Sequence, residues 1–374
     1  MYTWRYQQPV EIVFESGITQ KLKGFLQERN LPQKGILVCD SYFVDSGLAA
    51  ELTALCGDRL AGVFSDIKPN PSVKNVQDCA AAMAVCGAEF AVVIGGGSAI
   101  DCAKMACAIA KNGGNAAKIL AGEEQLPSDG FPLIAVPTTA GTGSEVTGVS
   151  VLDDPERGVK APVVGNALYP KIALIDPELT LSMSPYTTAA TGMDALSHAL
   201  EAFWSKNHLP VCDALALEAA RKILNALPIA YKDGANYEAR AEMCEASVLA
   251  GLAFAVPRTA GVHACSFPLT NRFGLSHGEA CAFTLDTFTR INANAENGRV
   301  QHFARQLGFE GAEWLAEHIA GLKRDMGLKL TLAKAGIDQK DLPELVQLSR
   351  HPNLLNNPVE MTDEKLMKLY MSLI

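Results

Sequence analysis

The sequence predicts an α/β N-terminal domain followed by an all-α C-terminal domain, and three observations carry that prediction. Up to about residue 180, short β-rich runs alternate with helical patterns; from Tyr186 onward only helical periodicity remains; and the switch falls at residues 176–184, punctuated by prolines. At 374 residues the chain is also long for one hydrophobic core, which favours two domains, residues 1–180 and 181–374.

In the first domain, residues 36–39, 62–64, 90–94 and 133–136 are predicted strands of a parallel sheet flanked by helices. Residues 146–152, a turn at 153–158 and the run Val159–Val164 predict a hairpin, and Ile172–Ile175 a last strand that stops at Asp176-Pro177. In the second domain the Ala-, Leu- and Glu-rich segments 211–227, 239–253, 278–292 and 311–326 predict helices. There is no internal repeat and no low-complexity segment.

Composition narrows the function classes. Apolar residues make up 48% and charged residues 20%, the profile of a globular protein rather than a disordered one. A net charge of −9 with scattered Lys and Arg gives no electrostatic case for nucleic acid. No stretch offers the roughly eighteen apolar residues of a membrane span, and no apolar run follows the first charges as in an export signal, so a cytoplasmic protein is expected. Ten cysteines, spread singly from Cys39 to Cys281 without a CxxC spacing, read as reduced, buried small hydrophobes.

Two glycine-bearing turns follow predicted strands. Phe90-Ala-Val-Val-Ile-Gly-Gly-Gly-Ser-Ala-Ile-Asp101 reads as strand, turn and helix start, with Ser98 as N-cap and Asp101 as its capping-box partner. Gly96 and Gly97 there would let backbone N–H groups approach a pyrophosphate at the positive helix end, although a plain tight turn needs the same glycines. Pro137-Thr-Thr-Ala-Gly-Thr-Gly-Ser-Glu145 adds hydroxyls for phosphate and ribose oxygens, or a polar loop that starts a short helix. Both turns leave carboxyl ends of strands, where doubly wound sheets bind ligands. Asp40, after residues 36–39, suits the adenosine ribose and would repel a 2′-phosphate, which predicts NAD over NADP; an ordinary turn aspartate would look the same.

In the second half, Thr191-Gly-Met-Asp-Ala-Leu-Ser-His-Ala-Leu-Glu201 puts Asp194 and His198 four apart on one helix face, as a metal grip or a plain ion pair. His263 and His277 lie fourteen residues apart in an apolar stretch, and the four together make a plausible metal site with a place left for a substrate oxygen. His208, His302, His318 and His351 read as solvated.

GGGSAID, PTTAGTGSE, GMDALSHALE and the GVHA…SHG pair, in this order, resemble the iron-containing alcohol dehydrogenases. The resemblance implies a Rossmann-like domain for NAD(P), a helical domain for the metal as in dehydroquinate synthase, and a cleft between them. By that resemblance Asp194, His198, His263 and His277 are metal ligands. Gly97 and Ser98 hold the pyrophosphate, Thr138, Thr139 and Thr142 line the dinucleotide, and Asp40, Asn70 and Lys160 contact the cofactor. It also implies iron, although Asp and His donors suit Zn(II), Co(II) or Ni(II) as well.

Phe267 departs from the family, where many relatives carry a second histidine near the nicotinamide, and phenylalanine cannot relay a proton. Arg258 stands where relatives often have a small residue, and Arg272 follows; an arginine at the substrate would favour an anionic aldehyde, whereas a surface ion pair is the plainer reading. Val149 and Phe254 are expected to line the substrate apolarly. The implied activity is metal-assisted interconversion of a small alcohol and its aldehyde with NAD, in a protein whose composition is compatible with a homodimer. A sugar-phosphate cyclase of the dehydroquinate synthase type and a non-catalytic homologue are the alternatives.

Overall fold

In the computed structural model of the chain, residues 3–374 are described, and they form two compact units. The division is not a single cut. Residues 7–139 and 144–180 make one unit, while residues 3–6 and 140–143 join residues 181–374 in the other.

The first unit contains strands β1 (Glu11–Phe14), β2 (Gly35–Cys39), β3 (Leu60–Phe64), β4 (Ala91–Gly95), β5 (Leu133–Pro137), β6 (Val149–Asp154), β7 (Val159–Val164) and β8 (Ile172–Ile175). Its helices are α1 (Leu22–Glu28), α2 (Ser41–Asp45), α3 (Leu48–Cys56), α4 (Val73–Cys86), α5 (Gly97–Asn112) and α6 (Ala116–Leu120). Six strands form a sheet in the order β1-β8-β5-β4-β2-β3, every pair parallel. β6 and β7 form the expected antiparallel hairpin, Val149 opposite Val164, with residues 146–148 left outside the strand.

Strands β2, β4, β5 and β8 are buried along their whole length, which is why they read as unbroken apolar runs. Alternate side chains feed two cores. Ile36, Val38, Ala91, Val93 and Ala135 pack with residues of α4, α5 and α6; Leu37, Cys39, Val92, Ile94, Ile134 and Val136 pack with α1, α2 and α3. Each fully buried aliphatic side chain is worth roughly 1.5–3 kcal/mol. The edge strand β1 was not predicted: its apolar run, Ile12-Val13-Phe14, is only three residues long, partly exposed and framed by Glu11 and Glu15.

The expected capping box at α5 is a correction. Gly96, in extended conformation, is the N-cap and no side chain caps the helix. Ser98 instead lies inside the first turn, where its Oγ accepts from the Asn70 backbone N–H at 3.2 Å. A Cβ at Gly95 would sit 2.6 Å from that of Ala99, so α5 lies close on the end of β4 because Gly95 has no side chain.

The second unit is helical: α7 (Pro185–Trp204), α8 (Pro210–Lys232), α9 (Tyr237–Phe254), α10 (Gly261–Asn271), α11 (His277–Ile291), α12 (Arg299–Gln306), α13 (Ala312–Asp325), α14 (Leu342–Leu348) and α15 (Asp363–Met371). α7 packs against α8, α9 and α11 and is buried from Ala189 to Trp204 apart from the half-buried Thr191, so its sequence is apolar nearly all round. Among the described residues no helix is long and apolar enough to cross a membrane, and no cysteine forms a disulfide.

Candidate metal centre and dinucleotide loops

α7 starts with Ser184 as N-cap, its Oγ accepting from Thr187 N–H at 3.0 Å, and Pro185 in the first turn. That start puts Asp194, His198 and Glu201 at positions i, i+4 and i+7 of one buried face. α11 begins at His277 and comes against α7 at Gly278, where a Cβ would lie 2.0 Å from the Ala190 carbonyl oxygen. The missing side chain is therefore what lets His277 reach Asp194.

Three imidazoles converge on one oxygen. The Nε2 atoms of His198, His263 and His277 lie 3.9, 3.6 and 3.7 Å from Asp194 Oδ1. These separations are too long for hydrogen bonds, and the buried Oδ1 has no hydrogen-bond partner. They match donors that share an ion at about 2.1 Å each. Burial acts to raise the Asp194 carboxyl, but the imidazoles outweigh it and hold the group well below the usual carboxylate range. Burial holds His198 down at about 3. At His263 and His277 burial also acts downward, but Cys281, together with Glu201 at His263 and Asp194 at His277, outweighs it and raises both imidazoles. A divalent ion takes the carboxylate as its anion and the imidazoles in their neutral form, displacing those protons, and carboxylate and imidazole are donor types that suit such an ion.

Glu201 organises His263. Its Oε1 accepts from the N–H groups of Ala260 at 3.0 Å and Val262 at 2.7 Å, at the amino end of α10, and its Oε2 pairs with His263 Nδ1. A wholly buried carboxylate at a helix N-terminus is stabilised by the unpaired N–H groups and the dipole there. By taking Nδ1–H it fixes the tautomer that leaves Nε2 facing Asp194.

Around the cluster, the Phe254 ring stacks on His198 with centroids 4.1 Å apart. Phe267 lies 6.4 Å from the His277 ring and packs on His351 at 4.5 Å. His351 is therefore not solvated as expected: it is half-buried, its Nδ1 accepts from Asn353 N–H at 3.2 Å, and burial lowers its pKa. His208 is also half-buried and pairs with Asp213 at 3.2 Å, whereas His302 and His318 are exposed. Arg272 pairs with Glu344 at 3.4 Å on the surface, the plainer of its two readings. Arg258, beyond the end of α9, donates its backbone N–H to Phe254 O at 2.9 Å and holds a left-handed φ of 69°.

In the other unit, Gly96, Gly97 and Ser98 form the half-buried start of α5, and a Cβ on Gly96 would meet Thr139 Oγ1 at 3.4 Å. Thr138 N–H donates to Gly95 O at 3.1 Å, so the two glycine-bearing turns adjoin. Asn70, itself left-handed at φ 56°, is bound to Ser98 through its N–H, and its Oδ1 accepts from Lys160 Nζ at 3.0 Å. Asp40 caps α2, accepting from Tyr42 N–H at 3.1 Å, with its other oxygen beside Gly95. Burial raises the Asp40 carboxyl. Thr142 lies in the segment 140–143 that belongs to the helical unit.

Asp101, expected as a capping partner, instead fastens the second loop: Ser144 Oγ donates to it at 2.5 Å and Val151 N–H at 2.9 Å. Lys104, fully buried, donates to Ser144 Oγ and to the carbonyl of Val149, both at 2.7 Å. Burial lowers Lys104 to about 8 and raises the neighbouring Glu145 to about 7.

Three residues at or beside this cluster escaped the sequence reading. Glu201 stood seven after Asp194 on the same face and Cys281 four after His277, so helical spacing held the signal for both. His351 comes from a distant loop and left no signal.

The chain matches the family models described as iron-containing alcohol dehydrogenase, over residues 9–177, and Fe-containing alcohol dehydrogenase family, C-terminal, over residues 188–374. The crystal structure of sulfoacetaldehyde reductase from Bifidobacterium kashiwanohense in complex with NAD+ is 47% identical, covers 100% of this chain and 99% of its own, and superposes with a TM-score of 0.96. 1-propanol dehydrogenase of Salmonella typhimurium is 39% identical over 74% of this chain and 72% of its own length. Long-chain-alcohol dehydrogenase 1 of Geobacillus thermodenitrificans is 33% identical over 91% and 90%.

Proposed function

Because this chain belongs to the iron-containing alcohol dehydrogenase family, we propose that it interconverts a small primary alcohol and its aldehyde by hydride transfer with NAD, and that the aldehyde it takes is anionic. The observation that carries the metal-dependent part is the convergence of three Nε2 atoms on the unpartnered Asp194 Oδ1.

Asp194, His198, His263 and His277 are the residues that would hold the ion, Fe(II) by family and Zn(II) or another divalent metal by donor chemistry. When bound, such an ion supplies Lewis acidity to the alcohol or carbonyl oxygen, while NAD takes or gives the hydride. Asp194 offsets the ion's charge, Glu201 keeps His263 in the binding tautomer, and the Phe254 ring keeps water off His198. Phe267 offers no proton, so the alcohol proton leaves to solvent or a ribose hydroxyl. On the dinucleotide, the N–H groups of Gly96, Gly97 and Ser98 receive the pyrophosphate and the hydroxyls of Thr138, Thr139 and Thr142 line it. Lys160 and Ser98 hold Asn70 in place, and Asp40 takes the adenosine ribose and disfavours NADP. We further infer a homodimer in the cytoplasm, with which the acidic, apolar-rich composition is compatible.

The anionic substrate rests on Arg258, whose left-handed backbone costs on the order of 1 kcal/mol that glycine would not incur. The 47% identity to a sulfoacetaldehyde reductase supports it. Arg258→Gly, which adopts that φ freely, should fold normally and raise KM for sulfonate- or carboxylate-bearing aldehydes by about tenfold or more, leaving neutral aldehydes unchanged. Equal effects on both substrate classes would remove the anionic reading and leave the dehydrogenase reading standing.

A further inference from the structure

The helix that presents His277 carries another donor one turn later. Cys281, fully buried, shares the face of His277, and its Sγ lies 3.8 Å from His277 Nε2. Donor atoms of Asp194, His263, His277 and Cys281 all fall within 4.8 Å of one another. A thiolate at about 2.3 Å and an imidazole nitrogen at about 2.1 Å from one five-coordinate ion, at angles of about 90° to 120°, stand about 3.1 to 3.8 Å apart. The observed separation falls at the upper end of that range. The independent sign that this space is made for a ligand is Asp194 Oδ1, which is buried in the same cluster with no hydrogen-bond partner.

We propose that Cys281 is a further donor to the metal, its sulfur joining Asp194, His198, His263 and His277 when no substrate is bound. The inference rests on the reading of this cluster as a metal site. On binding, the S–H bond breaks, a sulfur–metal bond forms and the proton passes to solvent, with no change of oxidation state. A thiolate among imidazoles shifts preference away from hard ions such as Mg(II) and Mn(II) and towards Zn(II) and Co(II). It also means that the position opened to a substrate oxygen is one that the sulfur closes at rest.

The test is optical and needs no turnover. The full-length protein is loaded with Co(II) in the absence of NAD and substrate, and its spectrum is compared with those of Cys281→Ser and Cys281→Ala. The expected result is a near-ultraviolet thiolate-to-cobalt charge-transfer band in the wild type that both variants lose while still binding about one Co(II) per chain. A wild-type protein that binds Co(II) without this band, or variants that keep it, would overturn the assignment of Cys281 and leave the four-residue site intact. If no Co(II) binds at all, the metal reading fails and the inference with it. Should the variants fail to fold, X-ray absorption at the cobalt edge of the wild type decides: a sulfur neighbour at about 2.3 Å supports the proposal, and a shell of nitrogen and oxygen alone overturns it.

Discussion

Glu201 touches no substrate in this account, yet the position of His263 depends on it. The carboxylate binds the ring's Nδ1 and two backbone N–H groups at once, so Glu201→Gln replaces an acceptor-only group with one whose amide face repels a donor. The expected outcome is a folded protein whose metal affinity falls roughly 10–100-fold, read by competition with a metal indicator. Unchanged affinity would show that packing alone orients His263. Phe267 makes a different point at this scale. Its departure from the family was legible as a letter, but the half-buried His351 against its ring was not, because ring contacts between distant segments leave no spacing in the chain.

At the scale of elements, the cluster of Asp194 and the three histidines depends on how closely α11 lies on α7. Gly278→Ala would force a Cβ into space 2.0 Å from the Ala190 carbonyl and 3.3 Å from Asp194 Cβ. Separating the helices is expected to cost about 2 kcal/mol or more and to lower metal content together with the unfolding temperature. A variant with wild-type metal and melting temperature would contradict the close-contact argument.

The loop after β5 and helix α5 are joined by Lys104, Asp101, Ser144 and Val151, with Glu145 buried beside them. Burial raises Glu145 from 4.5 to about 7, so the folded state binds its proton more tightly than the unfolded chain. Stability from this group is full below the unfolded value and is lost as pH rises towards the folded one, by on the order of 3 kcal/mol at most. Glu145→Gln lacks that loss. Its unfolding temperature should therefore gain on the wild type between about pH 5 and about pH 8, and parallel curves at both pH values would rule the argument out. At this scale the sequence misplaced the cap of α5, because Gly96 and Ser98 both suit an N-cap and only the path of the backbone distinguishes them.

For the molecule as a whole, the legible part was whatever periodicity encodes: the parallel strands buried on both faces, the hairpin, the long helices, and the Asp194–His198 pair on one turn spacing. The illegible part was whatever depends on the chain returning on itself. Strand β1 pairs with β8 from the other end of its unit, and residues 140–143 fold with the helical unit although they follow a strand of the first. The separation 140–143 is explained locally by contact: a Cβ at Gly141 would strike Thr191, and one at Gly143 would strike Gly251, so those glycines admit the loop against α7 and α9. Nothing in a linear pattern shows which helix a glycine will touch.

The central claim is that the Asp194, His198, His263 and His277 cluster holds the ion on which alcohol–aldehyde interconversion depends. Its most direct test combines metal analysis by mass spectrometry on anaerobically prepared protein with NADH absorbance on a panel of small neutral and anionic aldehydes. The account predicts about one divalent ion per chain, turnover that disappears on chelation and returns with added metal, and loss of both ion and turnover in His277→Ala. Turnover that persists in metal-free protein would contradict it.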